Sequence, residues 1–282
     1  GCSALSFDGL NDYVDVPAGV PPILSGNQTR YVEMWVYPTK YKVGLMQMGN
    51  GLAVQGQTFR ILINEEGRLG LDASNGMQFS DVVVEKNKWT FVFAMWSPWS
   101  NEYHVGKVKA GQVKKQKVPL TSSKVAGDTF WLGKVMTPGY STFKGKMDMV
   151  RCLRVTAVDA KILINASGPL SPELEEFLIA EWSFEEGQGT TAADISGNGY
   201  TGTIHGATWS NAGLSCCVPQ CAGKECGDDW CGGACGQCVG GSLCHDGSCT
   251  ASGMVPVPAG NFWMGCNQAY DGLCDADESP YH

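Results

Sequence analysis

Residues 3–212 form a succession of short segments in which apolar and polar residues alternate, and this pattern restricts the region to β structure. The clearest examples are "YVEMWVY" (31–37) and "KWTFVFAMW" (88–96), where alternation places one set of side chains in a core and the other in water. Glycine is frequent, at 37 residues, and turn sequences such as "NEEGR" and "KAGQ" separate the segments. We therefore expect two packed β-sheets.

Eleven segments qualify as strands, and one short helix is predicted. "SPELEEFL" starts with Ser171 at the N-cap position and Pro172 in the first turn, which is typical of a helix start. The predicted strands are Ala4–Phe7, Tyr13–Val16, Tyr31–Tyr37, Val43–Met48, Phe59–Asn64, Trp89–Trp96, Tyr103–Lys109, Gln112–Val118, Phe130–Gly133, Lys146–Val155 and Ile179–Phe184.

The cysteines are concentrated towards the end of the sequence. Eleven of the 13 lie between Cys216 and Cys274, in a glycine-rich stretch with few apolar residues. Such a stretch cannot build a core of its own and is stabilised by disulfides, which persist in oxidising compartments. A zinc ribbon needs two CxxC pairs, and only Cys235 and Cys238 form one, so disulfides are favoured over metal. The protein is predicted to be exported.

Two disulfide pairings are predicted. Cys2 precedes the first strand and Cys216 follows the last, so a bond between them would join the ends of the sandwich, leaving Cys152 free and buried. A Cys2–Cys152 bond is the alternative. Cys266 and Cys274 are expected to pair with each other, and the remaining pairing stays open. The cysteines predicted to form disulfides are Cys2, Cys216, Cys217, Cys221, Cys226, Cys231, Cys235, Cys238, Cys244, Cys249, Cys266 and Cys274.

The charge distribution excludes two classes of partner. The net charge is −8, and residues 213–282 account for most of it, with eight acids against Lys224. Because neither part of the chain is basic, nucleic acid and anionic lipid are not predicted partners. No apolar stretch approaches the roughly 18 residues of a transmembrane helix.

Three stretches of residues 1–212 resemble a known family. "ALSFDGLNDYVDVP" followed by "RYVEMWVYP" resembles the opening of bacterial laminin-G-like, concanavalin A-like jelly-roll domains. "FKGKMDMVRCLRV" is similar to a late strand of that family, although Met149 replaces an acid and Cys152 an aliphatic residue. "EWSFEEGQGTTAADISGNGYTGTIHGATW" is similar to a stretch that flanks or completes these domains. The resemblance implies an all-β jelly-roll sandwich that binds a ligand.

A catalytic role is not predicted. Jelly-roll relatives that hydrolyse glycans carry a Glu-x-Asp-x-(x)-Glu strand, which directs several carboxylates into one groove. Glu173 and Glu175 have part of this spacing, but Phe177 and Leu178 stand where the third carboxylate is needed, and Glu33 is alone among apolar residues. The chain is therefore expected to bind rather than to hydrolyse.

Calcium is the candidate cofactor, because it recurs in the family and prefers oxygen ligands. "FDGLNDY" offers Asp8, Asn11 and Asp12, and "DISGNGYTG" offers Asp194 and Asn198. The alternative is that these side chains close tight turns without any metal.

Exposed aromatic rings are the candidate sugar-binding groups. Trp96, Trp99 and Tyr103 surround a Ser-Pro bend in "MWSPWSNEY", where a hairpin loop would present them to solvent. The alternative is that Trp96 ends a buried strand and Trp99 caps the edge of the sandwich. His104 and His205 are predicted to be structural or surface residues.

The chain is predicted to have three parts. The sandwich (1–212) is followed by a Cys-rich spacer (213–250), which resembles spacer modules of large secreted bacterial proteins. Residues 251–282 contain "MVPVPAGNFWMGC" and "DESPYH", which resemble the start of a formylglycine-generating enzyme (sulfatase-modifying factor) domain. The catalytic cysteines and copper site of that family come later in its sequence and are absent here.

The predicted function is recognition of a glycan or another extracellular ligand by a monomeric module that targets a downstream domain. The first alternative is a structural or adhesive module with no specific small ligand. The second is the targeting half of a protein of the formylglycine-generating type.

Overall fold

The computed structural model describes residues 2–50, 57–73, 76–100, 102–109, 112–119, 124–155, 170, 172–214, 219, 221–227, 229, 231 and 234–250. These residues form a sandwich of two antiparallel sheets with eight strands each, followed by a two-stranded hairpin in the Cys-rich region. The predicted all-β jelly-roll architecture is confirmed. Its last strand ends at Ser210.

All eleven predicted strands are present, within two residues at each end. Pro172–Glu175 forms a one-turn α-helix, α1, and Pro22–Leu24 is a 3-10 turn. The strands are β1 (Ala4–Asp8), β2 (Tyr13–Asp15), β3 (Arg30–Pro38), β4 (Val43–Met48), β5 (Phe59–Ile63), β6 (Arg68–Asp72), β7 (Met77–Val83), β8 (Thr90–Ser97), β9 (Glu102–Lys109), β10 (Gln112–Val118), β11 (Phe130–Leu132), β12 (Lys144–Leu153), β13 (Leu178–Trp182), β14 (Thr191–Ala192), β15 (Gly202–His205), β16 (Thr208–Ser210), β17 (Leu243–His245) and β18 (Ser248–Thr250).

The first sheet has the strand order β10-β9-β8-β3-β12-β1-β16, and β13 also pairs with β12. β1 and β13 share one edge of β12, since Leu5 lies opposite Met147 and Trp182 lies opposite Val150. Met149 lies between these two pairs, has a φ of 41° and sits at a bulge in the ladder to β3. The bulge marks the change of partner along this long strand.

The second sheet has the order β14-β15-β2-β11-β4-β5-β6-β7. In this sheet β2, from the start of the chain, lies between the later strands β11 and β15. Asp15 lies opposite Trp131 on one side and opposite Thr203 on the other. These pairings are between segments far apart in sequence, and they decide which side chains become neighbours on the face of the sheet.

The first sheet is apolar on both of its faces. Val32, Met34 and Val36 of β3 face the second sheet and belong to the main core. The alternate residues Tyr31 and Trp35 belong to a second buried cluster on the outer face, which also contains Leu153, Leu170 and Leu174. Because this outer face is covered, it does not offer a ligand a water-exposed sheet surface.

A buried charged group lies on that covered face. Arg151 donates hydrogen bonds from Nε to Glu181 (2.9 Å) and from Nη1 to Glu33 (3.3 Å). All three side chains lie in one row across β13, β12 and β3. Burial raises the pKa of Glu33 to about 7, although the charge of Arg151 opposes the shift.

The Cys-rich region is held by disulfides, as predicted. Three bonds are described: Cys221–Cys235, Cys226–Cys244 and Cys238–Cys249. Cys2 and Cys231 are also disulfide-bonded. Cys152 is free and buried, so the alternative Cys2–Cys152 bond is wrong. Of the other predicted disulfide cysteines, Cys216, Cys217, Cys266 and Cys274 lie outside the described residues, and the Cys2–Cys216 and Cys266–Cys274 bonds stay predictions.

In the described part of the chain, no helix is long and apolar enough to cross a membrane. Residues 251–282, with their resemblance to formylglycine-generating enzymes, fall outside the described residues, as does Ser171.

Candidate functional site

The outer face of the second sheet is divided into a covered and an open half by residues 133–141, here called the covering loop. The loop leaves the end of β11, where Gly133 has a φ of 80°. A Cβ at this position would lie 2.5 Å from the ring of Phe7, so the turn requires glycine. From here the chain runs over β4, β5 and β6 and reaches β7.

A buried polar network anchors the covering loop to the sheet. Arg60 donates hydrogen bonds to Gln47 (2.9 Å) and Asp72 (2.8 Å), and all three side chains are buried. From the loop, the hydroxyl of Thr137 donates to Asp72 and the amide N–H of Met136 donates to Gln47. The network therefore pairs the charge of Arg60 and fixes the loop across the covered half.

The outer surface of β2, β11 and β15 is the open half, here called the open face. Its outward residues alternate with core residues such as Val14 and Phe130. They are half-buried or exposed and include three aromatic or imidazole rings. The outward residues of these three strands are Tyr13, Asp15, Trp131, Thr203 and His205.

The rings of the open face hold one another in place. Trp131 packs edge-on against Tyr13, with the ring centroids 5.7 Å apart, and His205 stacks on Tyr13 at 4.6 Å. The indole N–H of Trp131 donates a 2.8 Å hydrogen bond to Asp15 Oδ1. This arrangement combines flat apolar surfaces with a carboxylate, the combination that binds sugar rings and their hydroxyl groups.

Lys134 brings a cation to the open face. It is the first side chain of the covering loop after Gly133, and it reaches back over the rings. Its Nζ lies 4.0 Å from the ring centroid of Tyr13 and 4.4 Å from that of Trp131. Within the described residues, this ammonium group has no ion pair and no hydrogen bond.

The predicted aromatic site in "MWSPWSNEY" is wrong for two of its three residues. Alternation places Trp96 on the same face of β8 as Val92 and Ala94, inside the main core. Tyr103 lies opposite Trp96 in β9, and their ring centroids are 4.3 Å apart. Both rings are fully buried, whereas Trp99 is 84% exposed. A single exposed ring remains at this bend.

The first predicted calcium loop, residues 8–12, is held by its own side chains. The amide of Asp8 donates to Asp12 Oδ2 (2.6 Å), and the amide of Leu10 donates to Asp8 Oδ1 (2.7 Å). Burial raises the pKa of Asp12, and the nearby negative charge of Asp8 adds to the shift. Asn11 is exposed in the same loop. Two neighbouring carboxylates therefore repel each other at this turn.

In the second predicted loop, the carboxylate of Asp194 is fully engaged. It accepts hydrogen bonds from the amides of Glu181, Ser196 and Tyr200. Burial alone would raise the pKa of Asp194, but these donors together hold it below the ordinary value. The amide group of Asn198 donates to two backbone carbonyls. The loop is thus closed by side chain-to-backbone bonds.

No group of three acidic or histidine side chains converges on a common point among the described residues. The one convergent set consists of Cys226, Cys238 and Cys249, whose sulfurs belong to two disulfides. Calcium binding at either loop therefore stays a prediction from the sequence.

Comparison with known proteins gives one sequence family. The model of the concanavalin A-like lectin/glucanases superfamily, in its laminin-G-type form, matches residues 8–162. No curated protein matches the chain.

Solved structures are similar to this chain at low sequence identity. A candidate carbohydrate-binding protein from Bacteroides ovatus is 17% identical with a TM-score of 0.53, and the match covers 74% of this chain and 59% of that protein. The pentraxin of Limulus polyphemus is 12% identical (TM-score 0.46; 72% and 95% covered). The sialidase carbohydrate-binding module of Ruminococcus gnavus is 17% identical (TM-score 0.45; 59% and 96% covered).

Proposed function

Because the chain belongs to the concanavalin A-like lectin/glucanases superfamily, we propose that its sandwich is a carbohydrate-binding module whose binding site is the open face. The observation that carries this proposal is the group formed by Trp131, Tyr13 and Asp15. A pyranose ring presents C–H groups on one side, which pack on aromatic surfaces, and hydroxyl groups at its edge, which bond to carboxylates.

The shape of the site supports the same function. The rings of Tyr13 and Trp131 are fixed by neighbouring side chains, so little conformational entropy is lost when a ligand binds. The covering loop closes the face on one side, next to Lys134. A ligand of a few sugar units therefore fits the open face better than a long chain lying across the whole sheet.

The proposed module binds without hydrolysing. Glycoside hydrolysis needs a pair of carboxyl groups that flank the scissile bond. Among the outward residues of β2, β11 and β15, only Asp15 is acidic, and its Oδ1 accepts the bond from Trp131. We propose an extracellular location on the basis of the disulfides, and a targeting role for whatever domain is joined to the module.

A glycan array tests the proposed function. The protein should bind a defined set of oligosaccharides, and Trp131→Ala should weaken binding about three- to tenfold, because stacking on an aromatic ring contributes on the order of 0.5–1.5 kcal/mol. Trp99→Ala is the matched control, since Trp99 is the exposed tryptophan of the β8–β9 bend. Equal losses in both variants, or loss in Trp99→Ala alone, would move the site away from the open face.

A structural or adhesive module without a small ligand is the competing function. It predicts that the folded protein binds no oligosaccharide on the array, whatever residue is changed. Retention of the same melting temperature in Trp131→Ala and in the unmodified protein separates a lost binding site from a lost fold.

A further inference from the structure

We propose that the open face selects glycans that carry an anionic group, a carboxylate or a sulfate, and that Lys134 provides the selection. This inference rests on the proposed function, because it names the ligand class of the same site. The shared chemistry of the two ligand types is a negatively charged oxygen group next to a sugar ring.

Lys134 carries a positive charge that is not neutralised within the described part of the chain. Its ammonium group lies over Tyr13 and Trp131 at 4.0 and 4.4 Å and has no ion pair or hydrogen bond among the described residues. The face of an aromatic ring attracts a cation but accepts no ordinary hydrogen bond. The three donors of the ammonium are therefore available to a ligand.

The position of that charge favours the same class of ligand. Lys134 is half-buried and its ammonium group lies over the rings of Tyr13 and Trp131, so a ligand that packs against this group of rings can also contact the charge. The chain holds it there because the turn at Gly133 fixes the direction in which the covering loop leaves β11. A carboxylate or sulfate on a stacked sugar would then form a charge-assisted bond, which is stronger than a bond between neutral groups.

Asp15, the acid on the same strands, does not neutralise the charge of Lys134. Its Oδ1 accepts the indole N–H of Trp131, and no ion pair joins it to Lys134 in the described structure. Asp15 thus contributes an acceptor for a sugar hydroxyl next to the indole N–H of Trp131, and the ammonium of Lys134 remains the group that binds a negative substituent. A neutral sugar would leave this ammonium without a partner.

The test compares oligosaccharides of equal length that differ only in charge. Isothermal titration calorimetry is run with a uronic acid oligomer, a sulfated neutral oligomer and the unmodified neutral oligomer. The variants are Lys134→Met, which keeps the aliphatic stem over the rings, and Lys134→Arg, which keeps the charge. Lys115→Met, on the exposed edge strand β10, controls for a general loss of positive charge.

We expect at least one anionic oligomer to bind about tenfold more tightly than the neutral one, because hydrogen bonds to charged groups are stronger than those between neutral groups. Lys134→Met should remove this preference, while Lys134→Arg and Lys115→Met retain it. Tighter binding of the uronic acid oligomer would identify a carboxylate as the preferred group, and tighter binding of the sulfated oligomer would identify a sulfate. Equal affinity for the neutral oligomer, or a preference that survives in Lys134→Met, overturns the inference and leaves the proposed function intact. Failure of the folded protein to bind any oligomer overturns both.

Discussion

Trp131 and Asp15 lie directly opposite each other in β11 and β2, and the indole N–H of Trp131 donates a 2.8 Å hydrogen bond to Asp15 Oδ1. The bond fixes the edge of the indole ring on a surface that is open to solvent. Without it, the contacts with Tyr13 and Lys134 would still restrain the ring, but no directional bond would fix its edge. The pair therefore orients the largest apolar surface of the open face.

The first prediction separates the hydrogen bond from the charge of Asp15. Asp15→Asn retains an acceptor oxygen for the indole N–H, whereas Asp15→Ala removes it. We expect Asp15→Asn to bind glycans almost as well as the unmodified protein and Asp15→Ala to bind about five- to tenfold more weakly, a cost of about 1 kcal/mol for a lost hydrogen bond. Calorimetric affinities measure the difference. Equal losses in both variants would mean that the negative charge itself contacts the ligand.

Two of the three strands that build the open face, β2 and β11, are predictable from the sequence, but their adjacency is not. Tyr13 and Asp15 are the sequence neighbours of the core residue Val14, and Trp131 lies between the core residues Phe130 and Leu132. Alternation alone therefore predicts that Tyr13, Asp15 and Trp131 face away from the core. Their meeting depends on the pairing of β2 with β11, which are more than a hundred residues apart. A change of register by one residue would turn either set inwards.

Two other features lay beyond sequence reasoning for physical reasons. Trp96 and Tyr103 flank a polar bend, and only the register between β8 and β9 shows that both rings point into the core. The strands β14, β15 and β16 have only two to four residues each, too few for alternation to identify them, and their pairing with β15, β2 and β1, respectively, makes them strands. Tertiary contacts therefore decide both features.

The second prediction concerns the network under the covering loop. Asp72→Asn leaves the buried guanidinium of Arg60 without its 2.8 Å carboxylate partner, and breaking one side of a buried ion pair costs about 3 kcal/mol or more. Thr137→Val removes only the hydroxyl that donates to Asp72, and should cost about 1 kcal/mol. Urea unfolding measures both values. Similar costs for the two variants would show that Arg60 is solvated or paired elsewhere.

The third prediction is a pH dependence of stability that originates at Glu33. Burial raises its pKa from 4.5 to about 7 in the folded state, so the folded protein binds the proton more tightly than the unfolded chain. The stabilisation is fully present below pH 4.5 and is lost as the pH rises through 7. The free energy of unfolding should therefore increase when the pH is lowered from 7.5 to 5.

Asp148 contributes to the same trend, because burial raises its pKa from 3.8 to about 6, against the hydrogen bond from the amide of Leu214. Urea unfolding of Glu33→Gln and Asp148→Asn at both pH values measures how much each residue contributes to the change in the free energy of unfolding. Each variant should show a shallower pH dependence than the unmodified protein, and Glu33→Gln should differ from it mainly above pH 6. A slope unchanged in Glu33→Gln would assign the proton uptake to other groups.

The fourth prediction is calcium binding at the loop of residues 8–12. The loop keeps two mutually repelling carboxylates, Asp8 and Asp12, whereas both oxygens of Asp194 are occupied by backbone donors. We expect calcium to raise the melting temperature of the chelator-treated protein, since an ion that binds only the native state stabilises it. Asp8→Asn should abolish the rise and Asn198→Ala should not. If the melting temperature is independent of calcium up to millimolar concentrations, the side chains of this loop serve only to close the turn.

The fifth prediction concerns the cysteines. Cys152 is buried without a disulfide, and burial raises the pKa of its thiol far above the ordinary value, so the reactive thiolate is scarce and shielded. Iodoacetamide should leave Cys152 unmodified in the native protein and label it fully in denaturant without reductant, as measured by peptide mass spectrometry. The same digest should contain Cys221–Cys235, Cys226–Cys244 and Cys238–Cys249 as linked peptides, with Cys2 linked to Cys216 as the sequence predicts. Native labelling of Cys152, or its appearance in a linked peptide with Cys2, would contradict the buried thiol.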